Sequence, residues 1–276
     1  MNAATRQGFF DINELRRELA LIDLDPKFGR MLKDKNVMIV GPAETMLGTR
    51  QGEMIDSHDV VVRFNTAIQY LPFPSDLARD IGTRTDVLYC NNEVLMNGIF
   101  HQKGISHETF KQVCAVAGIK YLVSTNNDFT FPAHDEPEPK CRAEYRAFKL
   151  FLQQQDIDIE FRMLYSTNVI VRRLLDGYVG RTGFLGIVDL LAYDIRQLTI
   201  TGMTFYHKGG HLFLEDCVSE LHPMKNHQGL EPSGNIKGHN SYLELELLGK
   251  LLMLHGAKLK IDEQVQMLID ARRPRE

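Results

Sequence analysis

The chain lacks the features that would assign it to a membrane-spanning or disulfide-bonded class. No apolar run approaches the ~20 residues that a spanning helix needs, and the first eight residues are polar rather than signal-like. A complete chain of this kind is expected in the cytoplasm or peripheral to a membrane, or in the Golgi lumen if an N-terminal anchor has been removed. The four cysteines form no C-x-x-C pair, which argues against a cysteine-based metal site and favours free thiols.

Three common motifs of nucleotide and hydrolase chemistry are also missing. The first predicted strand is not followed by G-x-G-x-x-G, and neither G-x-x-x-x-G-K-[ST] nor G-x-S-x-G occurs. These absences argue against a dehydrogenase, a P-loop protein and an α/β-hydrolase. The net charge of −4 and the pI near 6.2 argue against nucleic-acid binding and leave room for a local basic pocket.

What the chain does contain is an alternation of short apolar runs with helical patterns, over 276 residues that are 43% hydrophobic. This pattern predicts an α/β fold in one domain spanning 1–276, with a leading helical segment at 1–35. We predict strands at 37–40, 60–64, 86–90, 120–124, 157–164, 198–201 and 259–261. We predict helices at 11–24, 111–117, 143–154, 182–193 and 241–255, and loops at 41–45, 71–80 and 128–139. The aperiodic segment 205–238 is predicted to be a lid loop.

Polar residues follow the first two predicted strands. The first strand runs into Gly41 and Pro42, and the second ends at Arg63 and Asn65. Ligands of open α/β sheets bind at the carboxyl ends of the strands, so this edge is a candidate binding site. The alternative is an ordinary strand–loop–helix–strand unit without a ligand.

A second candidate site lies at the start of the apolar helix 182–193. Thr182 and Gly183 stand where the amides of a helix have no acceptor within the helix, a position that suits phosphate or carboxylate. A glycine there would let the ligand approach the backbone closely. The alternative is Thr182 as a plain N-cap.

Histidines supply candidate catalytic groups. His239 directly precedes a predicted helix, with Ser241 and Glu244 in capping-box spacing. The helix dipole disfavours a protonated imidazole at that end, which suits a general base near pH 7. The alternative is a capping or surface histidine. His207 and His211 are separated by a glycine-rich stretch that breaks a helix, so a phosphate contact is favoured over zinc, and a plain surface loop is the alternative.

Two D-x-D pairs are poor metal candidates. Asp23 and Asp25 follow a predicted helix rather than a strand, which favours a solvated helix end. Asp156 and Asp158 lie at the entry of a strand, whereas ligands gather at its other end. The sequence therefore predicts no metal site.

Taken together, these stretches resemble the sialyltransferases of glycosyltransferase family 29. The chain shows a version of the long first motif: Ile39-Val40-Gly41, then G-x-x-I-D-x-x-D-V-V-x-R-x-N-x-A over 52–67, then D-x-G-x-R-T at 80–85. Arg181-Thr182-Gly183-Phe184 resembles the second motif, His211 or His207 the third, and H-x-x-x-x-E at 239–244 the fourth. The resemblance covers about 37–261.

The resemblance implies a Rossmann-like, GT-A-like nucleotide-binding domain with a mostly parallel twisted sheet flanked by helices. It implies inverting, metal-independent transfer from CMP-sialic acid to a glycan or glycolipid. His239 corresponds to the catalytic base, and His211, or else His207, to the histidine at the donor phosphate. The donor-binding positions are Gly41, Pro42, Ala43, Asn65, Arg181, Thr182, Gly183 and Phe184. The structural positions of the motifs are Asp80, Gly82, Arg84, Thr85 and Glu244.

The chain departs from the family pattern at three places. Pro42 stands where the family has an asparagine, so that contact is lost or is replaced by Glu44 or Thr45. Val37 and Tyr193 stand at the positions of a family disulfide, and no anchor is present, two changes that suit a reducing compartment. Three alternatives therefore stay open: a CMP-Kdo-type transferase, a non-catalytic nucleotide- or glycan-binding relative, and a metal-dependent UDP-sugar transferase that uses Asp156 and Asp158.

Overall fold

The computed structural model describes residues 11–91, 93–125, 139–205, 207, 212 and 238–271. Its centre is one seven-stranded sheet with the order β5-β4-β3-β2-β1-β6-β7, and every strand pair is parallel. The strands are β1 Asn36–Val40, β2 Val60–Phe64, β3 Val87–Cys90, β4 Tyr121–Ser124, β5 Glu160–Met163, β6 Gln197–Thr201 and β7 Leu259–Ile261. The predicted α/β fold is confirmed, and each of the predicted strands is present, with small differences at the ends.

The order of the strands places a crevice in the middle of the sheet. The chain builds β1 to β5 in one direction and then returns to add β6 and β7 on the other side of β1. The direction of winding therefore reverses between β1 and β6, and such a switch point is where open α/β sheets bind their ligands. The loops after β1 and β6 meet at this point.

The sheet is buried on both faces because both are covered by helices. Along β1, Val37 and Ile39 belong to one apolar cluster, whereas Met38 and Val40 belong to the other. Successive side chains of the strand point to opposite faces, and both faces are buried. The strand therefore appears in the sequence as a continuous apolar run. The two positions that correspond to the family disulfide, Val37 and Tyr193, are both buried in the first cluster.

Ten α-helices are present in the described part of the chain. They are α1 Ile12–Leu19, α2 Pro26–Leu32, α3 Gly52–Asp56, α4 Ser75–Ile81, α5 His107–Ala117, α6 Pro139–Gln154, α7 Tyr165–Leu174, α8 Thr182–Leu191, α9 Ser241–His255 and α10 Glu263–Asp270. A π-helix, Glu93–Phe100, follows β3. No helix in this part of the chain combines the length and the apolar character needed to cross a membrane.

Several helix predictions need correction. The predicted loop 71–80 was wrong in its second half, because α4 begins directly after Pro74, which occupies the N-cap position. The predicted helix 11–24 was too long, because α1 ends at Leu19. Asp11 caps α1, and a separate helix, α2, begins after Asp25, which caps it through the Lys27 and Phe28 amides. The helices α2, α7 and α10 and the π-helix were not predicted.

Candidate active site

The polar edge of the sheet begins at Asn65, which directly follows β2. Asn65 is half-buried and adopts a left-handed backbone conformation with φ +46°. Its Oδ1 accepts a hydrogen bond from the Asn91 N–H at 2.9 Å. This bond fixes the orientation of the Asn65 amide, because an amide that accepts through its oxygen presents its NH₂ group in the opposite direction. Asn65 thereby offers two donors at the edge where a ligand is expected.

The same edge continues across β3 and β4 to the start of α8. The Thr125 N–H donates to the Cys90 carbonyl at 2.8 Å, and Thr125 Oγ1 lies 3.4 Å from Thr182 Oγ1. Asn168 on α7 donates its side-chain amide to the Thr125 carbonyl and fixes this position. The edge thus joins Asn65 to the N-terminus of α8 through a continuous series of polar groups.

The N-terminal turn of α8 differs from a plain threonine cap. The helix begins at Thr182, and Arg181 takes the N-cap position without a capping hydrogen bond from its side chain. Thr182 is 5% exposed, and Phe184 is fully buried in the first apolar cluster. The dipole of this ten-residue helix favours an anion at this end.

The loop after β1 packs on the residues that leave β6. The Gly41 N–H donates to the Thr201 carbonyl at 2.8 Å, and the Ala43 N–H donates to the Gly202 carbonyl at 3.0 Å. A Cβ atom on Gly41 would lie 2.1 Å from the Gly202 oxygen, so only glycine permits this approach. The Pro42 carbonyl accepts a hydrogen bond from the Leu212 N–H at 2.7 Å, which brings part of the 205–238 segment to this loop.

Arg181 and Glu244 join α8 to α9. The Arg181 N–H donates to Glu244 Oε1 at 2.7 Å, and its guanidinium donates to Glu244 Oε2 at 2.9 Å. The predicted capping box of Ser241 and Glu244 was therefore wrong. The carboxylate is fully buried and binds Arg181, whereas Asn240 caps α9 through its side-chain oxygen.

His239 lies directly beside this connection. Its Nδ1 is 2.7 Å from the Val179 carbonyl oxygen. A carbonyl only accepts, so Nδ1 carries the proton of the neutral ring and Nε2 is the acceptor. Burial lowers the pKa of His239 below its ordinary 6.5, and Arg181 acts in the same direction, whereas Glu244 and the Val179 carbonyl oppose the shift. The imidazole is thus held in the form that a general base requires.

The other two candidate histidines fall in the 205–238 segment. The His207 N–H donates to the Thr204 carbonyl at 2.9 Å, and its ring packs edge-on against Tyr242 of α9, with centroids 5.1 Å apart. His207 therefore lies at the same end of α9 as His239. His211 lies outside the described residues, as does most of the segment predicted to be a lid.

The D-x-G-x-R-T stretch holds loops at both edges of the sheet. Asp80 Oδ2 accepts from the Gly48 N–H at 2.6 Å and Oδ1 from the Arg50 N–H at 2.9 Å, which ties down the loop after β1 and lowers the pKa of Asp80. Gly82 has φ +73°, and a Cβ there would lie 2.5 Å from Asp56 Oδ1. The stretch therefore shapes the candidate site without forming its surface.

Arg84 and its neighbours hold the amino ends of β2 and β3. The Arg84 guanidinium donates to the Asp56 and His58 carbonyls, each at 2.7 Å, and to Asp86 Oδ2 at 2.8 Å. Thr85 is fully buried, and its N–H donates to the Ala117 carbonyl at 3.2 Å. Through these contacts the last residues of the first motif stabilise the fold around β2 and β3.

The two D-x-D pairs have structural contacts of their own. Asp156 is exposed, forms an ion pair with Lys111 at 3.6 Å and precedes the amino end of β5. The Asp23 N–H donates to Ser166 Oγ, and Asp25 caps α2. Within the described ranges, no group of three or more His, Cys, Asp and Glu side chains forms a metal-binding cluster.

Comparison with known proteins matches residues 20–130 to the family model described as glycosyltransferase family 29 (sialyltransferase). The matched segment covers less than half of the chain, and over this segment the chain is similar to that glycosyltransferase family. This finding confirms the resemblance that the sequence motifs indicate. No curated protein sequence matches the chain.

Two solved sialyltransferase structures align with the chain. Campylobacter jejuni CstII in complex with cytidine-5′-monophosphate aligns with a TM-score of 0.50 at 13% identity, over 83% of this chain and 80% of CstII. A mammalian sialyltransferase in complex with Gal-beta-1-3GalNAc-ortho-nitrophenol aligns with a TM-score of 0.44 at 15% identity, over 94% of this chain and 81% of that one. The CstII alignment shows a shared fold.

The sequence motifs identified the polar edge of the sheet but not the residues that hold it in place. Asn168 and Met203 were not identified, although Asn168 bonds to Thr125 at the polar edge and Met203 packs against Gly41 and Gly183. Met203 directly follows Gly202 at the end of a predicted strand, a position that would have pointed to it. Asn168 lies on the unpredicted helix α7, so its position next to Thr125 required the three-dimensional fold.

Proposed function

We propose that this protein transfers sialic acid from CMP-sialic acid to a hydroxyl of a glycan or glycolipid acceptor, with inversion and without a metal. The single observation that carries this proposal is the hydrogen bond from His239 Nδ1 to the Val179 carbonyl, which makes Nε2 the basic nitrogen of the neutral ring. The family match and the cytidine-5′-monophosphate bound by CstII support the choice of donor.

In this proposal the donor lies along the polar edge of the sheet. The Asn65 amide, oriented by Asn91, donates to the nucleotide. The 41–43 loop lies against one side of the nucleotide, and Pro42 offers it no amide donor. The 181–184 turn receives the phosphate or the sugar carboxylate, because the helix dipole and the first-turn amides favour an anion there.

In the proposed reaction the base and the leaving group lie on opposite sides of the anomeric carbon. His239 Nε2 takes the proton of the acceptor hydroxyl while that oxygen bonds to the anomeric carbon, and the bond from that carbon to the phosphate oxygen breaks. CMP leaves with the bonding electron pair. His207 or His211 offsets the charge that develops on the phosphate.

The remaining parts of the proposal concern the whole chain. We assign 1–276 to one glycosyltransferase domain, with 205–238 closing over the donor to exclude water. The hydrogen bond from Leu212 to the Pro42 carbonyl supports this assignment, because it brings the segment to the nucleotide loop. The position of Asp156 at the opposite edge of the sheet supports a metal-free reaction, in which no D-x-D pair contacts the donor.

The decisive experiment measures CMP release from CMP-sialic acid with a β-galactoside acceptor. We expect turnover in EDTA and a loss of about 10²- to 10⁴-fold in His239→Ala, the range typical of general-base assistance. His58→Ala is the matched control, because His58 precedes the amino end of β2, at the opposite edge. Full activity in His239→Ala, or a strict requirement for Mn²⁺ with UDP as the nucleotide, contradicts the proposal.

A further inference from the structure

Met203 lies between the two glycines that were assigned to donor binding. A Cβ atom on Gly41 would stand 2.5 Å from Met203 Cγ, and a Cβ atom on Gly183 would stand 2.6 Å from Met203 Cε. Both distances are shorter than real Cβ contacts allow. One side chain therefore touches the loop after β1 at its near end and the first turn of α8 at its tip.

The backbone of Met203 is held on both sides. The Gly202 N–H donates to Asp262 Oδ2 at 2.8 Å, and the Gly202 carbonyl accepts from the Ala43 N–H at 3.0 Å. On the other side, Phe205 adopts φ +51° and packs against Phe184 of α8 with centroids 6.5 Å apart. Left-handed conformations of bulky residues persist only where the surroundings impose them.

The length of the methionine side chain thus determines the separation of two binding elements. Met203 is 9% exposed, and an unbranched thioether fills an irregular gap that no branched side chain would fill in the same way. The absence of a side chain at Gly41 and Gly183 makes room for Met203. The sequence had predicted only that Gly183 admits a ligand to the backbone.

We infer that Met203 is a positioning residue that sets the spacing between the 41–43 loop and the α8 N-terminus. One donor molecule can contact both elements only when that spacing matches the distance between its nucleotide and its anionic group. This inference rests on the proposed function. It predicts that Gly183 and Met203 act on donor affinity as one unit, although the side chain of Met203 need not touch the donor.

A double-mutant cycle tests this unit. CMP affinity is measured by titration calorimetry for the wild type, Gly183→Ala, Met203→Leu and the double variant. Gly183→Ala is expected to weaken CMP binding at least about tenfold, because the new methyl group displaces Met203. Met203→Leu, which lacks the terminal methyl group at Cε, is expected to weaken CMP binding by about threefold, less than Gly183→Ala does, because the shorter side chain no longer holds the spacing. The double variant is expected to recover to the level of Met203→Leu.

Each outcome of the cycle either supports or overturns the positioning role of Met203. If Gly183→Ala weakens CMP binding equally in both backgrounds, the glycine serves the ligand directly and the inference is overturned. If the wild type binds no CMP, the proposed function itself fails, and the inference fails with it. Met267→Ala is the control, because Met267 lies on α10 and is 55% exposed, and we expect its CMP affinity to be unchanged. Thermal unfolding of each variant confirms that it is folded.

Discussion

Arg181 and Glu244 connect the proposed donor-binding turn to the helix that follows the proposed base. One carboxylate accepts from both the backbone N–H and the guanidinium of Arg181, and the Glu244 side chain has no exposure to solvent. The last residue of H-x-x-x-x-E is thus bound to the first residue of R-T-G. The separation of His239 from the α8 N-terminus depends on this pair.

Glu244→Ala is expected to destabilise the protein by about 3–5 kcal/mol, because it leaves a buried guanidinium without this partner. Glu244→Gln is expected to cost less, since its oxygen can still accept from the Arg181 N–H. Urea unfolding measures both. The control is Glu246→Ala on the same helix, where Glu246 is 41% exposed and pairs with Lys250, and a change below about 1 kcal/mol is expected. Equal effects at the two positions would refute the role given to Glu244.

The pH dependence of turnover is expected to report the low pKa of His239. Only the neutral ring accepts a proton, so kcat/KM rises with pH as His239 deprotonates and then reaches a plateau. Because burial lowers the pKa of His239 below 6.5, the midpoint of this rise is expected below pH 6.5. The measurement is a pH–rate profile of CMP release from about pH 5 to about pH 8. An ascending limb whose midpoint lies above pH 6.5 would contradict the low pKa that burial gives His239.

Asn65→Asp separates the donor role of this side chain from its structural role. The aspartate can still accept from the Asn91 N–H, but it loses both amide donors and places a negative charge beside an anionic ligand. We expect CMP affinity to fall at least about tenfold, which corresponds to about 1.4 kcal/mol, while the free energy of unfolding changes less. Titration calorimetry measures the CMP affinity, and urea unfolding measures the free energy of unfolding. Asn13→Asp, on the exposed face of α1, should alter neither.

A buried ion pair joins Asp189 of α8 to Arg162 of β5. Asp189 is fully buried and accepts from both ends of the Arg162 guanidinium, at 2.7 and 3.0 Å, and from the Tyr89 hydroxyl at 2.7 Å. Desolvation and the adjacent Asp189 carboxylate raise the pKa of Tyr89.

Asp189→Ala leaves the charge of Arg162 in the core, so a loss of about 3–5 kcal/mol is expected in urea unfolding. Replacing both members, as Asp189→Leu with Arg162→Met, should cost markedly less. The exposed pair of Lys27 and Glu160 supplies the comparison, and Glu160→Ala should cost less than about 1 kcal/mol. A single substitution at Asp189 that is no worse than the double one would contradict the prediction.

The sheet could be predicted from the sequence because its signal is local. Strands such as β2 are short apolar runs with polar ends, and burial on both faces makes that pattern continuous. The helix α4 was read as a loop because Pro72 and Pro74 are common in loops, although a proline just before a helix is compatible with it. The predicted helix 11–24 was too long because its apolar spacing continues to Ile22, whereas α1 ends at Leu19. The helix α2 was missed because Asp25 suits either a solvated helix end or a cap.

The site was predictable where a motif coincides with a strand end and unpredictable where contacts join distant segments. Asn65 follows a strand, so its place at the edge could be inferred. The partner of Glu244 could not, because Ser241 offers a local capping interpretation whereas Arg181 is 63 residues away. The end of a predicted strand points to the position of Met203, but its contact with both Gly41 and Gly183 is visible only in the structure.

The segment that matches the family model ends at residue 130, long before His239. Its carboxylates, such as Asp56 and Asp80, hold loops by hydrogen bonds and would do so in a protein that had lost its chemistry. A family match over this segment alone therefore reports common descent and does not test the proposed base. The 179–183 and 239–244 stretches, which hold the proposed base and the proposed anion-binding turn, lie outside the matched segment. Whether a related chain keeps these two stretches is therefore a separate question from whether it shares the family segment.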